Sequence, residues 1–257
     1  MKRLALLSAL LLLSSCLLQR VLIAQLDTLI EYRISSTLQL YVKQDRQLEK
    51  DVPAYLNAQR VIAPRLKVLV QSIRLDNPDE SKRLMTEILD IYRTLEEDFR
   101  KMLIKHMLSL DASQRKTFYL KLKEQNEELF EKLKKDRTEE YHDRIEFFIG
   151  DLTEAQQKML RPHEQIFLDN DRQRLVRREG FQADLREILD GQAANKEQLL
   201  TERFLRQQRE SFTNTKHLEG FLADLIKSLN KEQRELLAES RQEILQTIYQ
   251  FSRTTYE

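Results

Sequence analysis

Tryptophan is absent from this 257-residue chain, glycine and proline occur four times each, and cysteine occurs once. So few turn-forming residues exclude an all-β fold, whose many tight connections depend on them. Four scattered glycines also cannot build a loop that cradles phosphate. A single cysteine excludes a disulfide framework. Neither sign of charge prevails, with 43 Lys and Arg against 42 Asp and Glu, so no excess of basic charge argues for a nucleic-acid partner. What the chain does contain is 33% charged and 41% hydrophobic residues, the balance of long amphipathic helices. We therefore expect an all-α fold, an elongated bundle of about six or seven long helices whose core rests on apolar faces alone.

The lone cysteine is placed where it carries information. Lys2 and Arg3 form a positive start, Leu4 to Leu13 form an apolar stretch, and Ser14 and Ser15 supply small side chains just before Cys16. That order is the layout of a bacterial lipoprotein signal. On this reading residues 1–15 are removed between Ser15 and Cys16, and the Cys16 thiol takes a diacylglycerol. The freed amine is acylated as well, and several chains on one residue hold a protein at a membrane where one would not. Loss of Lys2 and Arg3 leaves 41 basic against 42 acidic residues. The alternative is an uncleaved membrane helix, because Leu17, Leu18 and Val21 to Ala24 prolong the apolar run, although Leu4 to Gln19 is shorter than the roughly 20 residues a span needs. Residues 16–34 then serve as anchor and first helix, and 35–257 as an all-helical periplasmic domain.

One motif recurs within that domain: Leu110-Asp111-Ala112-Ser113-Gln114, Leu152-Thr153-Glu154-Ala155-Gln156 and Leu229-Asn230-Lys231-Glu232-Gln233. Each reads as a capping box, in which Asp111, Thr153 or Asn230 accepts from the amide three residues on while the Gln side chain reaches back to the cap's own N–H. The residues after each Gln are Arg115, Gln157 and Arg234, so no hydrophobic staple forms, and the leucines are expected to pack on neighbouring helices. Leu40-Tyr41-Val42-Lys43-Gln44 is a degraded fourth copy whose Tyr41 cannot cap. Gln44 and Gln114 lie 70 residues apart, Gln156 and Gln233 lie 77 apart, and the layout suggests two similar helical-hairpin halves, 35–150 and 151–257. Replacement of Gln156 by Ala is expected to cost about 0.5–2 kcal/mol, the value of a lost cap.

Apolar spacing places helices near 19–34, 41–73 with a bend at Pro53, 78–109, 112–149, 154–189, 193–228 and 231–252. Asn77, Pro78 and Glu80 supply cap, first turn and N3 for the third of these. Phe118, Leu122, Leu129 and Leu133 trace the core stripe of the fourth, which at 1.5 Å per residue would run about 57 Å. Gly150 and Gly191 read as stops.

On these motifs, and on Leu26-Asp27-Thr28-Leu29-Ile30, Val52-Pro53-Ala54-Tyr55-Leu56, the segment Leu120 to Asn126 and Ile149 to Gln156, the chain resembles an uncharacterised family of proteobacterial lipoproteins over nearly its whole mature length. The Leu-Thr-x-x-Gln pattern is also similar to the periplasmic Spy/CpxP group, which implies a helical protein of envelope stress that binds unfolded clients. Enterobacterial lipoproteins kept in the inner membrane tend to carry Asp after the acylated cysteine. Leu17 stands there, so the resemblance implies the outer membrane, on its periplasmic leaflet.

Catalytic chemistry finds little footing. His106, His142, His163 and His217 are dispersed, and His163-Glu164-Gln165-Ile166-Phe167 puts Phe167 where a zinc-protease helix needs its second histidine. His142 beside Asp143 reads as a solvated pair. No Gly-x-Ser-x-Gly occurs, and lipid would block Cys16 as a nucleophile. No metal or other cofactor is expected. Arg172, Arg174, Arg177 and Arg178 form the densest basic cluster, a candidate contact for an anionic surface, though Asp169, Asp171 and Glu179 lie beside it. The expectation is a non-enzymatic envelope lipoprotein that binds peptide or protein partners in apolar grooves between helices. A structural tether between outer membrane and cell wall is the alternative.

Overall fold

In the computed structural model, which describes residues 22–74, 77–135, 137–213 and 224–257, the protein is all-α, with no strand among those residues. Helix α1 (Leu26–Leu38) turns back through Gln39, whose left-handed φ of 55° ends the helix, into α2 (Val42–Gln59). A 3-10 turn at Arg60–Ile62 leads into α3 (Ala63–Ser72). Helix α4 (Pro78–Leu108) starts on the Asn77 cap, which accepts from the Glu80 amide at 3.2 Å, and packs along both α2 and α3. Helix α5 (Ala112–Leu133) lies between α1 and α7 (Glu154–Asp190), and α6 (Thr138–Ile149) precedes α7. Helix α8 (Lys196–Thr213) fits between α7 and α4, and α9 (Lys231–Arg253) rests on α6 and α3.

Three sequence expectations need correction. Pro53 lies inside α2 without ending it, and the helix expected over 41–73 is interrupted instead at the 3-10 turn Arg60–Ile62. The helix expected over 19–34 runs on to Leu38. The helix expected over 112–149 is two helices, α5 and α6, separated near Lys134 to Arg137. Charge accounts for the break: Lys132 sits in the last turn of α5, where a cation suits the helix dipole, and Glu139 and Glu140 sit in the first turn of α6, where anions do. Arg137 is buried there. Its guanidinium binds Asp171 of α7 and, at 2.9 Å, Glu140, while the Tyr141 hydroxyl donates to the same Asp171 at 2.6 Å. The longest helix is instead α7, 37 residues or about 55 Å, with Pro162 inside it.

The main apolar cluster joins Leu38, Leu48, Val52, Ile104, Met107, Leu110 and Phe118 to Leu185, Leu189, Leu200 and Tyr256, so it draws on chain from both sides of residue 150. A second cluster holds Ile149, Leu152, Leu160, Leu225 and Leu229. The C-terminal tail is fastened to the first helices: the Asn57 amide donates to the Tyr256 carbonyl at 2.8 Å and accepts from its N–H at 3.2 Å, and Arg60 donates to Ser252 O at 3.0 Å. Burial pushes the phenols of Tyr55, Tyr119 and Tyr256 up to about 12. A phenol whose folded pKa is raised stabilises the fold below its ordinary value near 10 and loses that contribution as pH rises toward 12. Stability is therefore expected to hold up to pH 10 and to fall between 10 and 12. Absorbance of phenolate at 295 nm should rise late, together with the loss of helix; early titration of all eight tyrosines in a still-folded protein would contradict this.

Candidate functional site

The recurring motifs form two joints. Asp111, Thr153 and Asn230 each accept from the amide of the Gln three residues on, at 2.9, 3.3 and 2.9 Å, and each Gln side chain accepts from the cap's own N–H. Gln44 does the same for the N–H of Tyr41 at 2.9 Å. The Tyr41 phenol itself turns to the Asp111 carboxylate, which raises the phenol's pKa, and the Gln114 amide first and then this hydroxyl lower that of Asp111. The glutamines then pair. Gln114 and Gln44 exchange amide hydrogen bonds of 2.7 and 3.3 Å, and Gln156 and Gln233 exchange bonds of 2.8 and 2.9 Å. Their remaining N–H groups go to the backbone: Gln44 to Ser109 O, Gln114 to Gln39 O, Gln156 to Ser228 O and Gln233 to Asp151 O. Gln114, Gln156 and Gln233 are buried, and every side-chain donor and acceptor among them is used.

The residues around each joint match as well. Leu110, Leu152 and Leu229 are buried, the first in the main cluster and the others in the second. Arg115, Gln157 and Arg234, placed where a staple would need an apolar side chain, donate back to the carbonyls of those same leucines. Gly150, at φ 75°, brings the chain into the second joint so closely that an added Cβ would lie 2.8 Å from Leu236. These joints set helix directions and offer no reactive group.

A groove lies between α5 and α7. It has a volume of about 560 Å³, lined on α5 by Tyr119, Leu120, Leu122, Lys123, Asn126, Glu127 and Phe130 and on α7 by Glu179, Gln182, Ala183 and Arg186. The helices are antiparallel there: Arg115 meets Asp190 at 2.8 Å near one end, and Arg137 meets Asp171 beyond the other. Asn126 and Gln182 pair through both amide groups at 2.6 and 3.2 Å across the floor. Leu120 and Phe130 stand about half exposed, at 53% and 50%, far above what core leucine and phenylalanine show. Arg186 covers the Tyr119 ring at 4.6 Å. Sequence periodicity drew attention to the buried stripe through Phe118 and Leu122 and passed over this second one, in which Leu120, Lys123, Glu127 and Phe130 follow at steps of three, four and three.

The other predicted residues disperse. Each residue turns about 100° around a helix axis, so Arg172, Arg174, Arg177 and Arg178 spread over more than half the circumference of α7. Arg172 pairs with Asp169 at 3.3 Å, Arg177 donates to Gln173, and Arg178 turns inward to Gln125 at 2.7 Å, so no single basic face forms. His142 is no solvated partner of Asp143, because its Nε2 lies 2.9 Å from Glu164 on α7. His106 is buried, with Nε2 3.0 Å from the Asp51 carboxylate that Lys105 also binds at 2.6 Å. Burial lowers its pKa against the pull of Asp51. Among the described residues no three His, Cys, Asp or Glu side chains converge as a metal site would require, and no helix is long and apolar enough to cross a membrane. Ser15, Cys16 and His217 lie outside the described residues. No protein-family model, curated protein or solved structure matches the chain.

Proposed function

We propose that this protein is a non-enzymatic lipoprotein of the cell envelope, anchored through Cys16 on the periplasmic face of the outer membrane, that holds segments of unfolded or envelope proteins in the groove between α5 and α7. The order of charge, apolar stretch, small residues and cysteine at residues 2–16 supports the anchor. The resemblance to proteobacterial lipoproteins and to the Spy/CpxP group points the same way. The observation that carries the binding reading is the pair of half-exposed side chains, Leu120 and Phe130, along an open groove whose floor amides pair with each other. Such a surface gains by covering apolar area, and contact is all it needs to act.

A form beginning at Leu17 tests the reading. It is expected to suppress aggregation of a reduced, unfolding model protein at near-stoichiometric ratio. Leu120→Ser and Phe130→Ser should each abolish most of that activity while changing stability by no more than about 0.5 kcal/mol, as exposed positions do. A protein that is inert toward the client but sediments with peptidoglycan sacculi would instead favour a tether between membrane and wall.

A further inference from the structure

The charges of the groove do not cancel in the same way along its length. On α5, Lys123 and Glu127 pair with each other at 3.7 Å. On α7, Glu179 and Arg186 are both exposed and have no ion-pair partner among the described residues; the Arg186 guanidinium lies only against the Tyr119 ring. Seven residues separate these two, so they share one face of α7 about 10.5 Å apart, with the small Ala183 between them leaving the groove open. The groove therefore presents an apolar bed with an unanswered negative charge at one end and an unanswered positive charge two helical turns away.

The floor decides what backbone can lie there. An extended peptide brings unpaired N–H and C=O groups that need partners. Asn126 and Gln182 are the amide side chains that line the groove, and each spends one N–H and its carbonyl on the other, which leaves one N–H apiece, fewer partners than an extended chain along the groove needs. A helix satisfies its own backbone and needs only an apolar stripe. From Tyr119 to Phe130 the lining of α5 runs 12 residues, about 16 Å, or three turns. Resting on the reading of this groove as the client site, we infer that its client is an amphipathic helix of three to four turns whose apolar stripe is bordered by a basic and an acidic residue two turns apart. The basic residue meets Glu179 and the acidic one meets Arg186.

Fluorescence anisotropy on the full chain in phosphatidylcholine nanodiscs, with empty discs subtracted, tests this with three labelled 14-residue helical peptides. They share one leucine stripe and carry Lys/Glu, Lys/Lys or Glu/Glu seven positions apart on its border. The Lys/Glu peptide is expected to bind about threefold to tenfold more tightly than the others in 50 mM salt, the size of two exposed ion pairs, with the difference shrinking in 500 mM salt. Glu179→Lys should shift the preference to the Glu/Glu peptide and Arg186→Glu to the Lys/Lys peptide. Equal binding of all three peptides, still abolished by Leu120→Ser, would overturn the inference and leave the groove as a client site. Failure of every peptide to bind, with client protection untouched by Leu120→Ser, would remove the groove reading itself. A dimer that Glu179→Lys dissociates would overturn the inference in favour of a second copy as occupant.

Discussion

Gln156→Leu is expected to destabilise the protein by about 3 kcal/mol or more, well beyond the 0.5–2 kcal/mol of a simple lost cap. The side chain accepts from the Thr153 amide and from Gln233, and donates to Ser228 O and Gln233. Leucine leaves the Thr153 N–H and one donor and one acceptor site of the buried Gln233 amide without partners, and each such group costs about 1–3 kcal/mol. Gln233→Leu should cost about as much for the mirror-image reason. The double substitution removes the amide pair together, so it should cost about 1–3 kcal/mol less than the sum of the two. Urea denaturation of the four proteins gives the coupling directly. Strict additivity would mean that each glutamine is only a cap for its own helix and that the joint has no cooperative content.

Tyr256→Ala carries the other large effect, an expected loss of about 3–5 kcal/mol, the range for deleting a buried aromatic ring. Tyr256 is 3% exposed within the main cluster although it is the second residue from the C-terminus, and Asn57 grips its backbone through two hydrogen bonds. Its hydroxyl is buried without a partner. Tyr256→Phe should therefore be neutral or stabilising by up to about 1 kcal/mol, because it removes a desolvated polar group and keeps the ring. Chemical denaturation that ranks Phe at or above Tyr, and Ala far below, supports the tail as part of the core. Equal stability of all three would show that the tail is not packed. A strong loss in the Phe variant would show that the hydroxyl is bonded.

Sequence and structure agree most closely where the physics is local. A capping box needs four consecutive residues, so Asp111, Thr153 and Asn230 announced their helices at Ala112, Glu154 and Lys231, and Asn77 did so for α4. What local pattern could not reveal is that the same glutamines meet across 70 and 77 residues, because that depends on how the hairpins close. The chain separations coincide with the pairing, yet spacing alone does not distinguish two like helix starts from two halves of one joint. The break between α5 and α6 was missed because no glycine or proline marks it; charge at the two helix ends and the buried Arg137 do. The arginine cluster looked dense only along the chain, since a helix distributes neighbours around its axis. The groove escaped notice because Leu120 and Phe130 lie off the buried stripe on a row shared with Lys123 and Glu127, and only packing shows that these two apolar side chains stay uncovered.

Hydrogen exchange on the protein with and without a saturating unfolded client tests the central claim most directly. Protection on client binding should concentrate in residues 119–130 and 179–186, the two walls of the groove, with the glutamine joints equally protected in both states. Protection that falls elsewhere, or none at a concentration where aggregation is suppressed, would contradict the assignment of this groove as the binding site.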